Sequence, residues 1–388
     1  MTQPPAQSRA GPGHGGAAAA APAAGGVRCM LMRGGTSKGL YFLAADLPEQ
    51  PGQRDALLLR IMGSGHPLQV DGLGGGHSLT SKAAIVSLSA AGDADVDYLF
   101  LQFGVDQATV TDQQNCGNIL AGVGPFAVER GLIGAGGEST STRIRMVNSG
   151  SVVTATFATP GGRPVYSGTT SIDGIPGTAA PVTLRFAGTA GSATGALLPT
   201  GSVRDVIDGV EVTCVDNGMP VVVARARDLG ITGYESTREL AGHTELRDRV
   251  QSLRLAAGKL MGLGDVTGLS VPKTTLVSAP RDGGTICTRT FIPVHPHTAI
   301  GVLGAVSAAT ALLMPGGAGA ELAAWAGSGH LIDVEHPTGH LLVDVDLDTS
   351  AGPPRVRSAG VVRTARKLFD GTAYPAERAD HDQLAAEG

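Results

Sequence analysis

From Val27 onward, short apolar runs alternate with glycine-rich polar segments. Runs rich in β-branched, aromatic and leucine residues predict strands at 27–32, 40–43, 96–103, 152–157, 182–186, 210–215, 220–226 and 274–279. Longer apolar runs predict helices at 55–63, 118–132, 237–262 and 299–314. Strands outnumber helices and the helices are widely spaced, so the pattern does not fit the regular strand–helix alternation of a doubly wound sheet.

The motifs of the first half are echoed faintly in the second half. Each half has a Gly-containing strand and turn (MRGGTSKGLYF and VTCVDNGMPVVVA) and a Lys-bearing segment (SLTSKAAIVSLSA and SVPKTTLVSAP). Each then has a polar loop that opens an apolar helix (NCGNILAGVGPFAVERGLI and HPHTAIGVLGAVSAATALL). The echo favours two similarly built domains with a cleft between them. We predict one domain over 27–183 and a second over 184–388, whose last segment is a candidate to return to the first.

Two segments bear on targeting. Residues 1–26 contain Ala, Gly and Pro but no Leu, Ile, Val or Phe. Such a segment lacks the apolar region of a signal peptide, and we expect a disordered tail. The apolar run at 299–314 is too short and too rich in Gly and Ala for a membrane span, so it predicts a buried helix instead.

Charge and cysteine content narrow the classes of partner. The formal net charge is −5 and no run of Lys or Arg occurs, which gives no support for a nucleic-acid partner. Cys29, Cys116, Cys214 and Cys287 are far apart, which indicates a reduced, cytoplasmic protein without a disulfide framework. We expect a small-molecule ligand and no membrane partner. A homodimer is compatible with these observations, which do not determine the oligomeric state.

Two glycine-rich turns each end in Ser-Lys, at 33–39 (RGGTSKG) and 71–82 (DGLGGGHSLTSK). Neither is a P-loop, which needs four residues between a Gly and a Gly-Lys-Ser/Thr sequence. We interpret both as turns that hold a carboxylate, with candidate contacts from Thr36, Ser37, Lys38, Gly75, Gly76 and Ser78. The alternative for the first turn is a plain hairpin with a solvated Lys38. Lys82, which enters an apolar segment, is either a rim lysine or a desolvated base.

The segment QQNCGNILAGVG places Cys116, Gly117 and Asn118 just before an apolar helix. A helix N-terminus has unpaired N–H groups and a positive partial charge, which attract carboxylates and lower the pKa of a thiol. Cys116 is therefore a candidate acid/base or anion-contacting residue beside an oxyanion cradle. The alternative is a small buried cysteine at a helix cap.

The second half offers weaker candidates. His295 and His297 suggest a metal, but a proline separates them and no third ligand is evident, so lining of the cleft by His297 and Thr298 is the favoured interpretation. Arg289 precedes this loop, on a strand that is not among those predicted above, and either binds a carboxylate or forms a structural ion pair. Asn217 lies in a predicted tight turn and is a further ligand candidate.

Several long motifs occur in one order between residue 27 and about 365: MRGGTSKG, GLGGGHSLTSKAAIV, NCGNILAGVGPFAVERGL, GALLPTG, CVDNGMPVVV, SVPK and EHPTG. Together they strongly resemble the PrpF family of isomerases, within the diaminopimelate epimerase-like fold. The family includes aconitate, methylitaconate and 4-oxalomesaconate isomerases. The resemblance implies an α+β protein of two similar domains, each a curled, mostly antiparallel sheet or barrel around a central helix, with the active site in the cleft between them.

The resemblance also implies catalytic roles for Lys82 and Cys116, and neither a metal nor an organic cofactor. The second-half helix opens with HPHTAIG, where the epimerases of this fold have a second cysteine motif. This departure argues against a symmetric two-thiol racemase.

The expected activity is a 1,3-allylic proton shift on an unsaturated tricarboxylate such as 4-oxalomesaconate, aconitate or methylaconitate. Lys82 would carry the proton between the two carbons, and Cys116 is either a second acid/base or a hydrogen-bond donor. Helix N-termini near 116–118 and 297–299, with Arg289, would stabilise the enolate-like charge. The alternatives are a non-catalytic carboxylate-binding member of the fold and an amino-acid racemase or epimerase.

Overall fold

The structure is a computed structural model that describes residues 25–325 and 330–377, so nearly all of the predicted tail at 1–26 lies outside the described residues. Its α-helices are α1 (Pro51–Met62), α2 (Gly117–Leu120), α3 (Val123–Glu129), α4 (Thr237–Gly242), α5 (Thr244–Leu260) and α6 (Val302–Leu313). The strands of the first half are β1 (Val27–Gly34), β2 (Ser37–Leu43), β3 (Lys82–Leu88), β4 (Val96–Phe103), β5 (Val110–Thr111), β6 (Ser139–Met146), β7 (Val152–Ala158) and β8 (Pro181–Phe186). Those of the second half are β9 (Asp205–Ile207), β10 (Val210–Asp216), β11 (Pro220–Arg225), β12 (Lys273–Ser278), β13 (Ile286–Phe291), β14 (Leu331–His336), β15 (Gly339–Asp348) and β16 (Arg355–Ala373).

The first half forms a closed barrel around a helix. Its strands pair in the order β1-β2-β3-β4-β6-β7-β8-β16, and β16 pairs back to β1. Ile119 of α2 and Val123 and Phe126 of α3 are fully buried inside this ring. Alternate residues of β6 are exposed and buried, as expected for a strand with one solvated and one packed face.

The second half is a curled sheet around α6. Strands follow the order β16-β15-β14-β13-β12-β11-β10-β9. Most of α6 is buried, and its Gly304, Ala305, Ala308 and Ala309 are small enough for strands to pack closely around it. Leu246, Val250 and Leu253 of α5 belong to a separate core on the other face of this sheet.

The two halves repeat one pattern of strand directions. In the first half, β2–β3 and β4–β6 are parallel pairs separated by antiparallel β3–β4. In the second half, β11–β12 and β13–β14 are parallel pairs separated by antiparallel β12–β13. The predicted α+β architecture of two similar halves, each a sheet around a central helix, is therefore confirmed.

Strand β16 belongs to both sheets. Its residues 355–361 pair with β15, residues 359–364 with β8, and residues 365–373 with β1. The boundary predicted between residues 183 and 184 falls inside β8, which also pairs with β16. One strand thus runs along the base of both halves and fixes their relative position.

Two predicted helices are each divided in the structure. The run at 118–132 becomes α2 and α3, and Pro125 lies in the first turn of α3, where its missing N–H removes no helical hydrogen bond. The run at 237–262 divides at His243, whose side chain accepts a hydrogen bond from the Leu246 N–H and caps α5. None of the helices in the described ranges combines the length and hydrophobicity needed to cross a membrane.

Candidate active site

The turn RGGTSKG joins β1 to β2 and packs against the start of α2. Gly35 has a φ of +51°, and a Cβ at this position would overlap with Oδ1 of Asn118. The Gly35 N–H also donates to the Thr364 carbonyl of β16, at 2.8 Å. The glycine is therefore required by backbone conformation and by close approach to Asn118.

The polar residues of this turn have different surroundings. Thr36 Oγ1 accepts a hydrogen bond from Asn118 Nδ2 at 3.0 Å. Ser37 is buried and its hydroxyl has no partner among the described residues. Lys38 is half-buried, and its backbone N–H donates to the Leu79 carbonyl at 2.9 Å, which ties the first glycine-rich turn to the second. Thr36 is the side chain of this turn that faces the cleft described below.

Lys82, the first residue of β3, is 7% exposed. Its Nζ donates to Gln102 Oε1 and lies 5.2 Å from the centre of the Phe100 ring. The Gln102 amide nitrogen donates to three backbone carbonyls, which directs the amide oxygen toward Lys82. Burial lowers the pKa of Lys82 because it disfavours the ammonium form, and a negative charge on nearby Cys116 only partly opposes this effect.

Cys116 caps the N-terminus of α2 and is half-buried. Its carbonyl accepts hydrogen bonds from the Leu120 N–H at 3.0 Å and from the Tyr98 hydroxyl at 3.3 Å. Gly117 is exposed, and a Cβ at this position would meet nothing within 4 Å. The thiol therefore lies beside Lys82 with open space next to it.

The glycines of the second turn are explained by packing within the loop itself. A Cβ on Gly75 would overlap with Thr80 Oγ1, and Gly76 has a φ of +65°. Neither glycine lines the cavity beside Lys82. Ser78 does: together with Lys82 and Gln102 it lines a cavity of about 460 Å³.

A larger cavity of about 740 Å³ lies in the cleft between the halves. Thr36 and Asn118 line it from the first half, and the second half contributes Ala299, Ile300, His336 and Thr338. Lys82 lines the smaller cavity instead. Because Cys116 neighbours Lys82 and Asn118 lines the larger cavity, the start of α2 lies between the two.

His297 and Thr298 do not line the larger cavity but contact residues that do. His297 Nδ1 accepts a hydrogen bond from the Ala299 N–H at 3.0 Å. The Thr298 carbonyl accepts one from Thr338 Oγ1 at 2.9 Å. Both residues therefore support side chains that line the cleft. In the described ranges of the chain, no three His, Cys, Asp or Glu residues are grouped so as to hold a metal ion.

The other two second-half candidates, Asn217 and Arg289, form structural contacts. Asn217 is fully buried; its amide oxygen accepts from Thr189 Oγ1 at 2.5 Å and its amide nitrogen donates to Thr310 Oγ1 at 2.8 Å. Arg289 donates from Nε to the Glu235 carbonyl and from Nη1 to the Thr288 carbonyl. These contacts hold both side chains within the second half. Neither residue lines the cleft cavity.

Two half-buried basic residues, Lys273 and Arg363, are not among the candidates predicted from the sequence. Lys273 begins β12 as Lys82 begins β3; it is half-buried, and burial lowers its pKa. A motif signal existed for it in SVPK. Arg363 of β16 lines the cleft cavity, and nothing in its surroundings VVRTARKL distinguishes it from other arginines of the strand.

The arrangement suits proton transfer at a carbon acid. A lysine with a lowered pKa can accept a proton from carbon, and a helix start with free N–H groups can hold developing negative charge. Thr36 and Asn118 add hydrogen-bonding groups at the adjoining cavity. Such a site can bind a carboxylate-bearing ligand and take a proton from it.

Comparison with known proteins gives consistent matches over most of the chain. The family model described as PrpF protein matches residues 26–376. The chain is 56% identical over 347 residues to a (4E)-oxalomesaconate Delta-isomerase of Novosphingobium sp. strain KA1, covering 89% of this chain and 96% of the relative. It is 53% identical over 346 residues to a 4-oxalomesaconate tautomerase of Pseudomonas putida strain KT2440, covering 89% and 95%.

Among solved structures, the crystal structure of a methylitaconate-delta-isomerase superposes with a TM-score of 0.79 at 31% identity. The superposition covers 92% of this chain and 99% of that one. The fold is thus the diaminopimelate epimerase-like fold expected from the motifs. Sequence identity, coverage and fold agree that this chain belongs to the PrpF family.

Proposed function

We propose that this protein is a cofactor-independent isomerase that moves a proton between two allylic carbons of an unsaturated tricarboxylate of the 4-oxalomesaconate type. The observation that carries the proposal is Lys82, a buried lysine with a lowered pKa beside Cys116 at a helix start. The two relatives above 50% identity, whose names specify oxalomesaconate, support this substrate over methylitaconate, which the name of the 31% identical structure specifies.

In the proposed reaction, neutral Lys82 removes a proton from one allylic carbon of the substrate. The electron pair of the broken C–H bond moves into a new C=C bond, and the former C=C electrons move toward the carbon two positions away. The resulting ammonium of Lys82 then returns a proton to that distal carbon. No electrons are gained or lost, and the lysine ends neutral, ready for another turnover.

The negative charge of the intermediate is spread over a conjugated carboxylate or keto group. The first N–H groups of α2, at Gly117 and Asn118, have no intrahelical partners and can donate to such an oxyanion. Cys116 lies at the same point, either as a second acid/base or as a hydrogen-bond donor. Replacement by serine separates these roles, since serine donates a hydrogen bond but is a much weaker acid.

An amino-acid racemase of the two-thiol type is disfavoured by the second half. Gly301 caps the N-terminus of α6, where Cys116 caps α2 in the first half. Cys287 is buried on β13, and its thiol donates a hydrogen bond to the Gly233 carbonyl at 3.6 Å. A protein that only binds carboxylates would not require a desolvated lysine, because an ordinary cation is sufficient for binding. The desolvated Lys82 therefore disfavours a binding-only role.

The test is proton NMR in deuterated buffer with 4-oxalomesaconate, cis- and trans-aconitate and 2-methylaconitate offered separately. We expect isomerisation of 4-oxalomesaconate with deuterium entering an allylic carbon. Lys82→Met should abolish both isomerisation and exchange while keeping the fold. Lys259→Met, at an exposed position of α5, is the matched control and should react as the wild type does.

Two results would contradict the proposal. If no substrate is isomerised or exchanged although the wild type binds it, the protein is a carboxylate-binding member of the fold. If Lys82→Met retains activity, the base is another residue. If the protein prefers an aconitate to 4-oxalomesaconate, the proposed proton shift stands and the proposed substrate is wrong.

We also propose that the protein works in the cytoplasm. Support comes from the cysteines, all four of which are free thiols. Fractionation of the source cells should recover the activity with a cytoplasmic marker enzyme, and recovery with the membranes or the medium would contradict this location.

A further inference from the structure

Arg363 lies where β16 passes from one sheet to the other. Its neighbour Val361 still pairs with β15, and Ala365 is the first residue that pairs with β1. Arg363 itself pairs with Val182 of β8. Its side chain lines the cleft cavity together with Thr36 and Asn118. The residue therefore stands on the floor of the cleft, at a position that both halves fix.

Arg363 is half-buried, and its guanidinium makes few contacts with the rest of the protein. Its one hydrogen bond to the described residues runs from Nη1 to the carbonyl of the adjacent Val362, at 3.1 Å. Its other guanidinium nitrogens have no hydrogen-bond partner among the described residues and are not fully buried, and the residue lines the cavity. Arg254, a buried arginine of α5, shows the contrast: its guanidinium donates to three backbone carbonyls and to Gln251.

No carboxylate neutralises Arg363 in the described part of the chain. Other arginines of the same sheet are paired, such as Arg185 with Asp344 at 2.6 Å and Arg357 with Asp348 at 2.8 Å. Burial without such a partner lowers the pKa of Arg363 to about 10. An unpaired buried cation is unfavourable unless a ligand supplies the missing charge.

The acidic residues of the cleft cavity have another cation to neutralise. Asp173 accepts a hydrogen bond from the backbone N–H of His340, and Asp333 Oδ1 lies 3.0 Å from Nδ1 of the His340 imidazole. Although burial disfavours the imidazolium, these carboxylates and Asp282 raise the pKa of His340. The remaining histidine, His336, has a pKa lowered mainly by burial. Arg363, which also lines the cavity, forms no ion pair with these carboxylates in the described residues.

We propose that Arg363 binds a carboxylate of the substrate that is remote from the reacting carbons, on the floor of the cleft beside Thr36 and Asn118. A guanidinium presents paired N–H donors that match the two oxygens of a carboxylate. Asn118 at the start of α2 lines this cavity, and Cys116, two residues earlier, neighbours Lys82, so the start of α2 lies between Arg363 and the base. The inference rests on the proposed function for the identity of the substrate. Arg363 is a binding residue that selects a tricarboxylate over a dicarboxylate.

The test uses binding of tricarballylate, a tricarboxylate without a C=C bond, measured by calorimetry on the full-length protein. Arg363→Met should weaken this binding roughly 10- to 100-fold, as expected for loss of a charge-assisted hydrogen-bonded pair. Arg363→Lys keeps the charge but not the paired donors, so its affinity for tricarballylate should lie between those of the wild type and Arg363→Met. Arg357→Met, on the exposed part of the same strand, is the matched control and should bind as the wild type does.

Two further readouts separate binding from a structural role. Glutarate lacks one of the three carboxylates of tricarballylate, so the wild type should prefer tricarballylate and Arg363→Met should bind the two ligands alike. The melting temperature of ligand-free Arg363→Met should equal or exceed that of the wild type, because an unpaired buried cation is removed. A lower melting temperature with unchanged ligand preference would overturn the proposal, and so would wild-type affinity in Arg363→Met.

Failure of this proposal is distinguishable from failure of the proposed reaction. Tricarballylate binding requires no proton transfer, so its dependence on Arg363 is measured independently of turnover. If the wild type binds tricarballylate through Arg363 but isomerises nothing, the binding site stands and the proposed reaction falls. If the wild type isomerises its substrate and does not bind tricarballylate, the assignment of Arg363 falls alone.

Discussion

Lys82 and Asn217 are both buried polar residues, and their partners give them different roles. The Nζ of Lys82 has one hydrogen-bond acceptor, Gln102, and burial lowers its pKa. Asn217 has its amide oxygen, amide nitrogen and backbone N–H all bonded, the last to Ser307 Oγ at 3.0 Å. Lys82 therefore keeps a group whose protonation can change, whereas Asn217 connects the turn after β10 to α6.

The lowered pKa of Lys82 predicts a pH profile. If Lys82 is the base, kcat/KM should rise with pH as its ammonium loses the proton, because only the neutral amine can accept one. The midpoint of this rise should lie below the ordinary lysine value of about 10.4. The measurement is kcat/KM against pH for the wild type and Gln102→Ala. A midpoint at the ordinary value in the wild type would exclude a desolvated Lys82 as the base.

The contacts of Asn217 predict a stability effect without a binding effect. Asn217→Ala should lower the free energy of unfolding by about 1–3 kcal/mol, because Thr189 and Thr310 lose their partner in the interior. KM should be unchanged. Asn118→Ala is the contrasting variant: it should raise KM with a smaller loss of stability, since Asn118 is half-buried and lines the cleft. Urea unfolding and steady-state kinetics measure both, and a raised KM at full stability in Asn217→Ala would restore its ligand role.

At the scale of elements, the strands predicted from apolar runs were found, whereas strands of mixed polar and apolar sequence were missed. All eight predicted strands occur, at β1, β2, β4, β7, β8 and β10 to β12. The pattern did not single out β6, because its outward positions carry Ser and Arg and two of its buried positions carry Thr. Nor did it identify β16 as one long strand, because its exposed residues are interspersed with buried ones as it passes between sheets.

The packing of the first glycine-rich turn on α2 can be tested at Gly35. Gly35→Ala should lower kcat/KM at least tenfold, because the added Cβ overlaps with the Asn118 side chain. Backbone strain alone accounts for about 1 kcal/mol of stability. Gly209→Ala is the matched control: its φ is +76° but a Cβ there meets nothing within 4 Å, so it should lose stability and keep activity. Equal kinetic effects in both variants would contradict the contact.

At the scale of the whole molecule, the site depends on which parts of the two halves meet. The motifs predicted Lys82 and Cys116, which come together through elements close in the sequence. They could not predict that Thr36, Arg363 and Thr338 line one cavity, because this follows from the course of β16 between the sheets. For the same reason Asn118 and Asn217, similar in sequence context, could not be assigned different roles before their partners were known.

The shared strand predicts that both halves unfold together. Cys29 of β1 and Cys214 of β10 are fully buried reporters of the first and second half. In increasing urea, iodoacetamide should modify both thiols with the same midpoint, since loss of β16 opens both sheets. Peptide mapping by mass spectrometry measures each thiol separately. Two distinct midpoints would show that the halves unfold independently.

Pairing of β1 with the end of β16 also determines when the barrel can be completed during synthesis. Val27 pairs with Ala373, so β1 is synthesised long before the part of β16 that completes its pairing. Until then, β1 and β8 each have an unpaired edge, and such edges can pair with other chains. Protection by a chaperone therefore matters most during synthesis, while the first half is made and β16 is not.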